Sequence, residues 1–165
     1  MKTKILIAVL GLIIYIGTWI YIFSNAENQS AEDVVPVKLQ QPEFFLNNIP
    51  NDSLIYQACI YYNIHNPQIV VAQSILETGY YRSEVCKRDN NLFGLYNSYK
   101  KEYFKFSHWS ESVKAYKDMI QYKYKENENY YYFLERIGYA EDSLYNVKLK
   151  KIIERYDLHK IYKDE

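Results

Sequence analysis

The apolar residues of this chain are unevenly distributed, and the longest uninterrupted apolar run extends from Ile5 to Phe23. Two lysines, Lys2 and Lys4, precede it. A helix that crosses a bilayer needs about 20 apolar residues, whereas the apolar stretch of a cleaved signal peptide has about 7 to 15. The length therefore favours a retained membrane anchor at residues 1–23. The alternative is a signal segment cleaved near the small residues that follow the run.

The segment 24–50 has a different pattern, because it is polar and acidic, contains three prolines and shows no sustained apolar period. Such a composition predicts an extracytoplasmic linker. Lysines before the apolar run and acidic residues after it place the rest of the chain outside the cytoplasm. We therefore expect attachment to the cytoplasmic (inner) membrane with the folded domain in the periplasm or otherwise outside the cytoplasm, or secretion if the segment is cleaved.

From Asn51 onward, apolar residues recur at spacings of three and four, which predicts amphipathic helices. Asn51 or Asp52 can cap the first helix. Asn66, with its side chain as cap, and Pro67 at the first helical position predict the start of a second helix, which Gly79 ends. The apolar positions of the first helix are Ile55, Ala58, Cys59 and Tyr62, and those of the second are Ile69, Ala72, Ile75 and Leu76.

The second half of the chain also predicts helices, after an aromatic stretch at residues 95–109 that indicates an irregular loop or a short hairpin. Ser110 can cap a long helix, Gly138 can end a further one, and Asp142 precedes the last. Their apolar positions are Val113, Tyr116, Met119, Ile120 and Tyr124; then Phe133, Leu134 and Ile137; then Leu144, Val147, Ile152, Ile153 and Tyr156. The pattern predicts one mainly α domain over residues 51–160.

Composition narrows the possible partners and cofactors. Lys plus Arg and Asp plus Glu number 20 each, so no overall field attracts nucleic acid, which we exclude as a partner. The three histidines are scattered, and no phosphate-binding glycine loop occurs, so no metal or other cofactor is expected. Cys59 and Cys86, in an oxidising compartment, are expected to form a disulfide. Twenty tyrosines suit either sugar stacking or a partly polar core.

Candidate chemistry is concentrated at the end of the second predicted helix. Gln73 and Glu77 lie one turn apart on one face. Glu77 falls in the last turn, where the helix dipole favours the protonated carboxylic acid. A protonated Glu is what glycosidic cleavage needs in order to protonate the leaving oxygen. On spacing alone, however, a solvated surface carboxylate is the commoner outcome for a helical Glu.

Four sequence blocks together resemble a known family. They are IVVAQSILETGYYRS, NNLFGL, HWSESVKAY and IGYAEDSLY, in this order between Asn51 and Tyr156. The chain resembles the bacterial endo-β-N-acetylglucosaminidases of autolysins and flagellar peptidoglycan hydrolases, in a short form typical of Bacteroidetes. The resemblance implies a lysozyme-like helical fold. It also implies cleavage of the β-1,4 bond between N-acetylglucosamine and N-acetylmuramic acid in peptidoglycan glycan strands, with Glu77 as general acid.

The resemblance also suggests roles for other side chains. Tyr139 corresponds to a tyrosine beside the cleft, facing the acid, where it can orient the substrate's acetamido group or stabilise an oxocarbenium-like transition state. Asn91 and Phe93 correspond to a block that lines the cleft. Trp109 and Tyr145 are candidate stacking platforms, each equally compatible with a core position. Gln73 joins them as a substrate-binding candidate.

A second carboxylate is not evident, because the lobe that carries it in longer relatives is shortened here. Glu102 is the only acid in the stretch and is the nominal candidate, although a loop Glu after two lysines is more often solvated. Assistance by the substrate's own N-acetyl group is therefore the preferred mechanism. Lytic transglycosylase or muramidase activity on the same glycan, an inactive glycan-binding module and a tyrosine-rich protein-interaction module are the alternatives.

Overall fold

The computed structural model describes residues 42–161, so the predicted membrane segment at 1–23 and most of the predicted linker lie outside the described residues. In this part of the chain, no helix is both long enough and apolar enough to cross a membrane. The described residues form eight α-helices, one 3-10 turn and one hairpin. The elements are α1 Glu43–Leu46, α2 Asp52–Tyr61, α3 Pro67–Thr78, α4 Glu84–Asp89, β1 Tyr96–Asn97, β2 Glu102–Tyr103, α5 Trp109–Met119, the 3-10 turn Gln121–Lys123, α6 Tyr130–Arg136, α7 Tyr145–Arg155 and α8 Leu158–Ile161.

Helix α3 is the central element, and it packs against both α2 and α7. Its sequence predicts an apolar face opposite Gln73, but the structure buries the helix on nearly all sides. Gln73 is itself fully buried. The reason is that neighbouring helices cover both faces of α3, which a pattern read from one helix cannot reveal. Glu77, near the carboxyl-terminal end of α3, is the one residue of this helix that is classed as exposed, while Gln68 and Leu76 are partly buried.

The ends of the first two long helices follow the sequence signals in part. The side chain of Asn51 accepts a hydrogen bond from the Leu54 amide at 2.9 Å, which confirms the predicted cap. Gly79 ends α3 in the left-handed region with a φ of 54°, as predicted. The prediction for Asn66 was wrong in one respect, because its side chain makes no capping bond and its own φ is 53°. Its carbonyl oxygen instead accepts from the first-turn amides.

Helix α5 differs from the prediction at both ends. Ser110 lies inside the helix, and His108 is the cap, since its Nδ1 accepts from the Ser110 amide at 3.2 Å. The helix stops at Met119 and does not continue to Tyr124. A 3-10 turn follows, in which Gln121 turns inward and bonds to the backbone of His65. The predicted stop at Gly138, with a φ of 61°, is confirmed.

The folded part begins before Asn51, the predicted boundary. Phe44 is buried, with its ring 6.1 Å from that of Trp109. The carbonyl oxygen of Asn47 accepts a hydrogen bond from Trp109 Nε1 at 2.7 Å and contacts His108 Nε2 at 2.9 Å. Residues 42–50 therefore belong to the packed domain, because one apolar ring and one carbonyl bind them to α5. The local sequence lacks a period because the segment is too short to show one.

The predicted disulfide is absent, since both cysteines are separate buried thiols. Cys59 lies on α2, fully buried, and burial raises the pKa of its thiol far above the ordinary range. Cys86 lies on the short helix α4, which the sequence did not predict and which Ser83 caps. Both cysteines act as small apolar core residues. The stretch at 95–109 contains the predicted short hairpin, in which Tyr96 pairs with Tyr103.

Candidate active site

Glu77 lies at the carboxyl-terminal end of α3 and lines a cleft of about 310 Å³. The cleft is formed by the NLFGL segment before β1, by the end of α5 and its 3-10 turn, and by the segment that follows α6. Its lining residues are Glu77, Phe93, Gly94, Leu95, Tyr96, Met119, Ile120, Lys123, Ile137, Gly138 and Tyr139. Within this set, Glu77 is the only carboxylate. Three of the four sequence blocks therefore supply lining residues from distant parts of the chain, and the HWSESVKAY block supplies none.

The surroundings of Glu77 favour its protonated form. Desolvation by partial burial raises the pKa of the carboxyl, and a hydrogen bond from Tyr145 lowers it, with burial the larger effect. The Tyr145 hydroxyl donates to Glu77 Oε1 at 2.8 Å. The residue nevertheless keeps part of its surface open to the cleft. A carboxylic acid with a raised pKa that is accessible to a ligand has the properties of a general acid.

Tyr139 presents a buried hydroxyl that makes no hydrogen bond of standard distance and angle among the described residues, although it interacts with the Tyr145 hydroxyl. Its ring lies 5.6 Å from that of Tyr145 and 6.0 Å from that of Tyr116, and it lines the same cleft as Glu77. Burial, followed by the nearby Tyr145 and Glu77, raises the pKa of Tyr139 well above its usual value. The phenol therefore stays neutral and can donate. A buried hydroxyl without a partner costs about 1–3 kcal/mol.

Two of the predicted substrate-binding residues lie behind the cleft and support Glu77. Gln73 is fully buried, and its amide is hydrogen-bonded to the hydroxyls of Tyr145 and Tyr116. Tyr145 is 8% exposed, and its hydroxyl bonds to Glu77. Neither side chain is among the residues that line the cleft. The packing of α7 on α3 brings the Tyr145 hydroxyl to both the Gln73 amide and the Glu77 carboxyl.

The NNLFGL segment divides its roles between Asn91 and Phe93. Asn91 is buried, and its amide donates to the carbonyl oxygens of Leu95 and Phe104 at 2.9 and 3.0 Å. Its Oδ1 accepts from the Leu95 amide at 2.9 Å. The predicted presentation of Asn91 to sugar hydroxyls is therefore wrong, because all of these groups hold the loop itself. Phe93 does line the cleft, and its ring also packs 4.5 Å from that of Tyr116.

Trp109 and Glu102 lie outside the cleft. Trp109 has no exposed surface, so the predicted stacking platform is a core residue. Glu102 is exposed on β2 and is absent from the lining of the cleft. The structure thus brings together Glu77, Phe93 and Tyr139 at the cleft, and it does not add Glu102.

Sequence reasoning missed two lining residues that can contact a sugar through an aromatic ring or a charge. Tyr96, on β1, is 49% exposed and gives the cleft an aromatic face. Lys123, on the 3-10 turn, gives it a positive charge. The aromatic directly after the NLFGL block was a usable signal for Tyr96. No sequence signal identifies Lys123, because it is one of many lysines. It reaches the cleft only because α5 ends earlier than predicted. Among residues 42–161, no group of three or more His, Cys, Asp or Glu side chains could hold a metal ion.

The cleft contains a carboxylic acid of raised pKa close to a neutral phenol. These features, in an open cleft of a mainly helical domain, are consistent with a glycoside hydrolase. Residues 53–158 match the glucosaminidase family, described as mannosyl-glycoprotein endo-beta-N-acetylglucosaminidase, and the chain belongs to this family. The resemblance seen in the four sequence blocks is confirmed.

One protein is similar to this chain in sequence, and one solved structure is similar to it in fold. The exo-glucosaminidase LytG of Bacillus subtilis (strain 168) is 30% identical over 145 residues, which are 65% of this chain and 50% of LytG. The chain thus spans about half the length of this curated relative. The crystal structure of the catalytic domain of the autolysin Auto from Listeria monocytogenes superposes with a TM-score of 0.50 at 24% identity, covering 84% of this chain and 96% of that domain. The mainly helical fold that we predicted is therefore confirmed.

Proposed function

We propose that this protein is a peptidoglycan hydrolase that cleaves the β-1,4 bond between N-acetylglucosamine and N-acetylmuramic acid. Family membership supports the bond type, and the autolysin and glucosaminidase relatives support the cell-wall glycan as substrate. The observation that carries the reaction is Glu77 itself, an acid with a raised pKa that opens into the cleft. Its role is general acid toward the glycosidic oxygen.

In this mechanism, Glu77 transfers its proton to the leaving oxygen as the bond to the anomeric carbon breaks. The positive charge that develops on the sugar needs a nucleophile, and Glu77 is the only carboxylate among the cleft-lining residues. The carbonyl oxygen of the substrate's own acetamido group supplies that nucleophile, and water then opens the cyclic intermediate. The free Tyr139 hydroxyl is suited to donate a hydrogen bond to the acetamido group and to hold it in place.

The function is tested by incubating the full chain with purified peptidoglycan and identifying the released ends by mass spectrometry. We expect fragments with reducing N-acetylglucosamine ends. Reducing N-acetylmuramic acid would show a muramidase, and anhydro-N-acetylmuramic acid would show a lytic transglycosylase. Binding of glycan strands without release of any fragment would support an inactive binding module instead. Fragment length further separates internal cleavage from stepwise release at chain ends.

Tyr139→Phe is expected to separate activity from stability. The free energy of unfolding should be unchanged or slightly higher, since the substitution removes a buried hydroxyl without a partner. The value of kcat should fall roughly 10- to 100-fold, because a hydrogen bond to a charged transition state contributes about 1.5–3 kcal/mol. Steady-state kinetics and thermal unfolding of the same sample measure both. A stability loss with unchanged kcat would show that Tyr139 is only a packing residue.

We further propose that residues 1–23 hold the protein in the cytoplasmic membrane, with the domain outside the cytoplasm. The apolar run and the lysines before it support this arrangement. Fractionation of cells followed by sequencing of the amino terminus tests it. Recovery of the chain in the soluble fraction, with a terminus after Ala26, would instead show a cleaved signal.

A further inference from the structure

A continuous line of buried hydrogen-bonding side chains runs through the domain to Glu77. We call this line the polar chain, and its members, in order, are Gln121, Tyr130, Tyr116, Gln73 and Tyr145. Each is at most 8% exposed, so water does not compete for these hydrogen bonds. Burial also raises the pKa of all three phenols, which therefore keep their protons. Each hydroxyl has one proton to donate, and the direction of each bond can be followed.

The backbone of His65 sets the direction at the far end. A backbone N–H can only donate and a carbonyl oxygen can only accept. The His65 amide donates to Gln121 Oε1 at 2.9 Å, and Gln121 Nε2 donates to the His65 carbonyl oxygen at 2.9 Å. The amide of Gln121 is therefore held in a single orientation. Its Nε2 also contacts the Tyr130 hydroxyl, at 2.5 Å, and must be the donor there.

The same donor-to-acceptor direction continues through Tyr130 and Tyr116. Because the Tyr130 oxygen accepts from Gln121, the Tyr130 proton is free to point to the Tyr116 oxygen, 3.0 Å away. The Tyr116 proton in turn points to Gln73 Oε1 at 2.7 Å. Gln73 thus receives a donor at its oxygen, which holds its amide in the orientation with Nε2 toward α7.

At the near end, the direction reaches the carboxyl group. Gln73 Nε2 donates to the Tyr145 oxygen at 3.3 Å, and the Tyr145 hydroxyl donates to Glu77 Oε1 at 2.8 Å. Every donor from Gln121 onward therefore points toward Glu77. The last bond becomes charge-assisted, and hence stronger, when Glu77 loses its proton.

We propose that the polar chain positions the catalytic proton, by committing Oε1 of Glu77 to accept from Tyr145 and leaving Oε2 to carry the proton into the cleft. This inference rests on the proposed function of Glu77. It makes the four members before Tyr145 positioning residues, although none of them is hydrogen-bonded to the Glu77 carboxyl: Gln121, Tyr130, Tyr116 and Gln73. As the proton leaves Oε2 for the glycosidic oxygen, the hydrogen bond at Oε1 stabilises the carboxylate that forms.

The test is the pH dependence of kcat/KM in Tyr145→Phe, Tyr116→Phe and the double variant, on purified uncrosslinked glycan strands. A general acid must be protonated, so activity falls as the pH rises through the pKa of Glu77. Loss of the Tyr145 bond leaves the burial effect unopposed, which raises this pKa and moves the alkaline limb to higher pH. The other titratable groups that line the cleft, Tyr96, Lys123 and Tyr139, are unchanged in all three variants.

Tyr116→Phe is the decisive variant. It leaves Gln73 Oε1 without a donor, so the Gln73 amide can turn and accept from Tyr145, which takes the Tyr145 proton away from Glu77. We expect an alkaline shift in the same direction as in Tyr145→Phe but smaller, and no further shift when Tyr116→Phe is added to Tyr145→Phe. An unshifted limb in Tyr116→Phe, or additive shifts in the double variant, would overturn the proposal.

A matched control removes a hydroxyl from the same aromatic cluster but outside the polar chain. The Tyr124 hydroxyl donates to the Glu128 carbonyl oxygen, and its ring lies 5.5 Å from that of Tyr130. Tyr124→Phe should therefore leave the alkaline limb of the pH profile of kcat/KM unchanged. An equal shift in this control would assign the effect to general loosening of the core and reject the proposal.

A second measurement separates this inference from the proposed function. Titration of the Glu77 side-chain carboxyl by carbon NMR, with Glu77→Gln to assign the resonance, needs no catalytic activity. If the wild-type protein cleaves no glycan but Tyr116→Phe raises the pKa of Glu77, the polar chain stands and the function is wrong. If the protein is active but the pKa of Glu77 is the same in wild type and Tyr116→Phe, the function stands and the polar chain is wrong.

Discussion

Glu77→Gln is expected to fold normally and to lose about 10²- to 10⁴-fold in kcat on peptidoglycan, the range that a general acid contributes. The amide keeps the size of the side chain, and its oxygen can still accept the hydrogen bond that Tyr145 donates to Oε1. Only the transferable proton is lost. Release of reducing ends, measured beside thermal unfolding and circular dichroism, checks both halves of the expectation.

Glu102→Gln is the matched comparison, because it makes the same chemical change at the other acid that the sequence suggested. Glu102 lies on β2, exposed and outside the lining of the cleft. We expect activity close to that of the wild-type protein. A loss as large as that of Glu77→Gln would establish a second catalytic carboxylate and would contradict substrate assistance. Retention of most activity by Glu77→Gln would remove Glu77 as the acid.

Trp109→Ala is expected to have the largest effect on stability, a loss of about 3–5 kcal/mol in the free energy of unfolding. The ring has no exposed surface and packs near Phe44, and its Nε1 hydrogen bond holds the Asn47 carbonyl. Truncation would leave a cavity and release residues 42–50 from the domain. The free energy of unfolding of a small domain is only about 5–15 kcal/mol in total. Denaturant unfolding should therefore show a marked decrease in stability.

An exposed aromatic residue provides the control for this loss. Tyr122 is 68% exposed, and Tyr122→Ala should change the free energy of unfolding by no more than about 0.5 kcal/mol. For Trp109→Ala, activity per folded molecule should be retained at low temperature. Full stability combined with weakened glycan binding would show instead that Trp109 stacks on sugar.

Most helix signals that depend on one residue's own backbone or side chain were reliable, the side-chain cap predicted for Asn66 being the exception. Gly79 and Gly138 end helices because each adopts a positive φ, and Asn51 caps α2 through a contact three residues away. Signals that depend on distant contacts were unreliable. Ser110 looked like a cap, but His108 takes that position, where its ring also contacts the carbonyl of Asn47.

The candidate site was predictable to a similar extent. Glu77 was identified because its sequence block resembles a family block, and Tyr139 because its own block does. The roles of Gln73, Asn91 and Tyr145 were not predictable, because a polar side chain in a family block serves equally well to bind substrate or to hold the fold. Which of the two applies depends on what covers that side chain.

The sequence by itself thus determined the helical class, the family and the candidate for the acid, because periodicity, capping residues and ordered blocks are local properties of the chain. Only the tertiary structure decided what surrounds that acid. Packing of α7 on α3 brings Tyr145 to Glu77 across 68 positions in the chain, and it buries Gln73 between them. Among residues 42–161, it also leaves the Tyr139 hydroxyl without a hydrogen bond of standard geometry. Burial and hydrogen-bond direction are set by residues far apart in sequence, so no local pattern contains them.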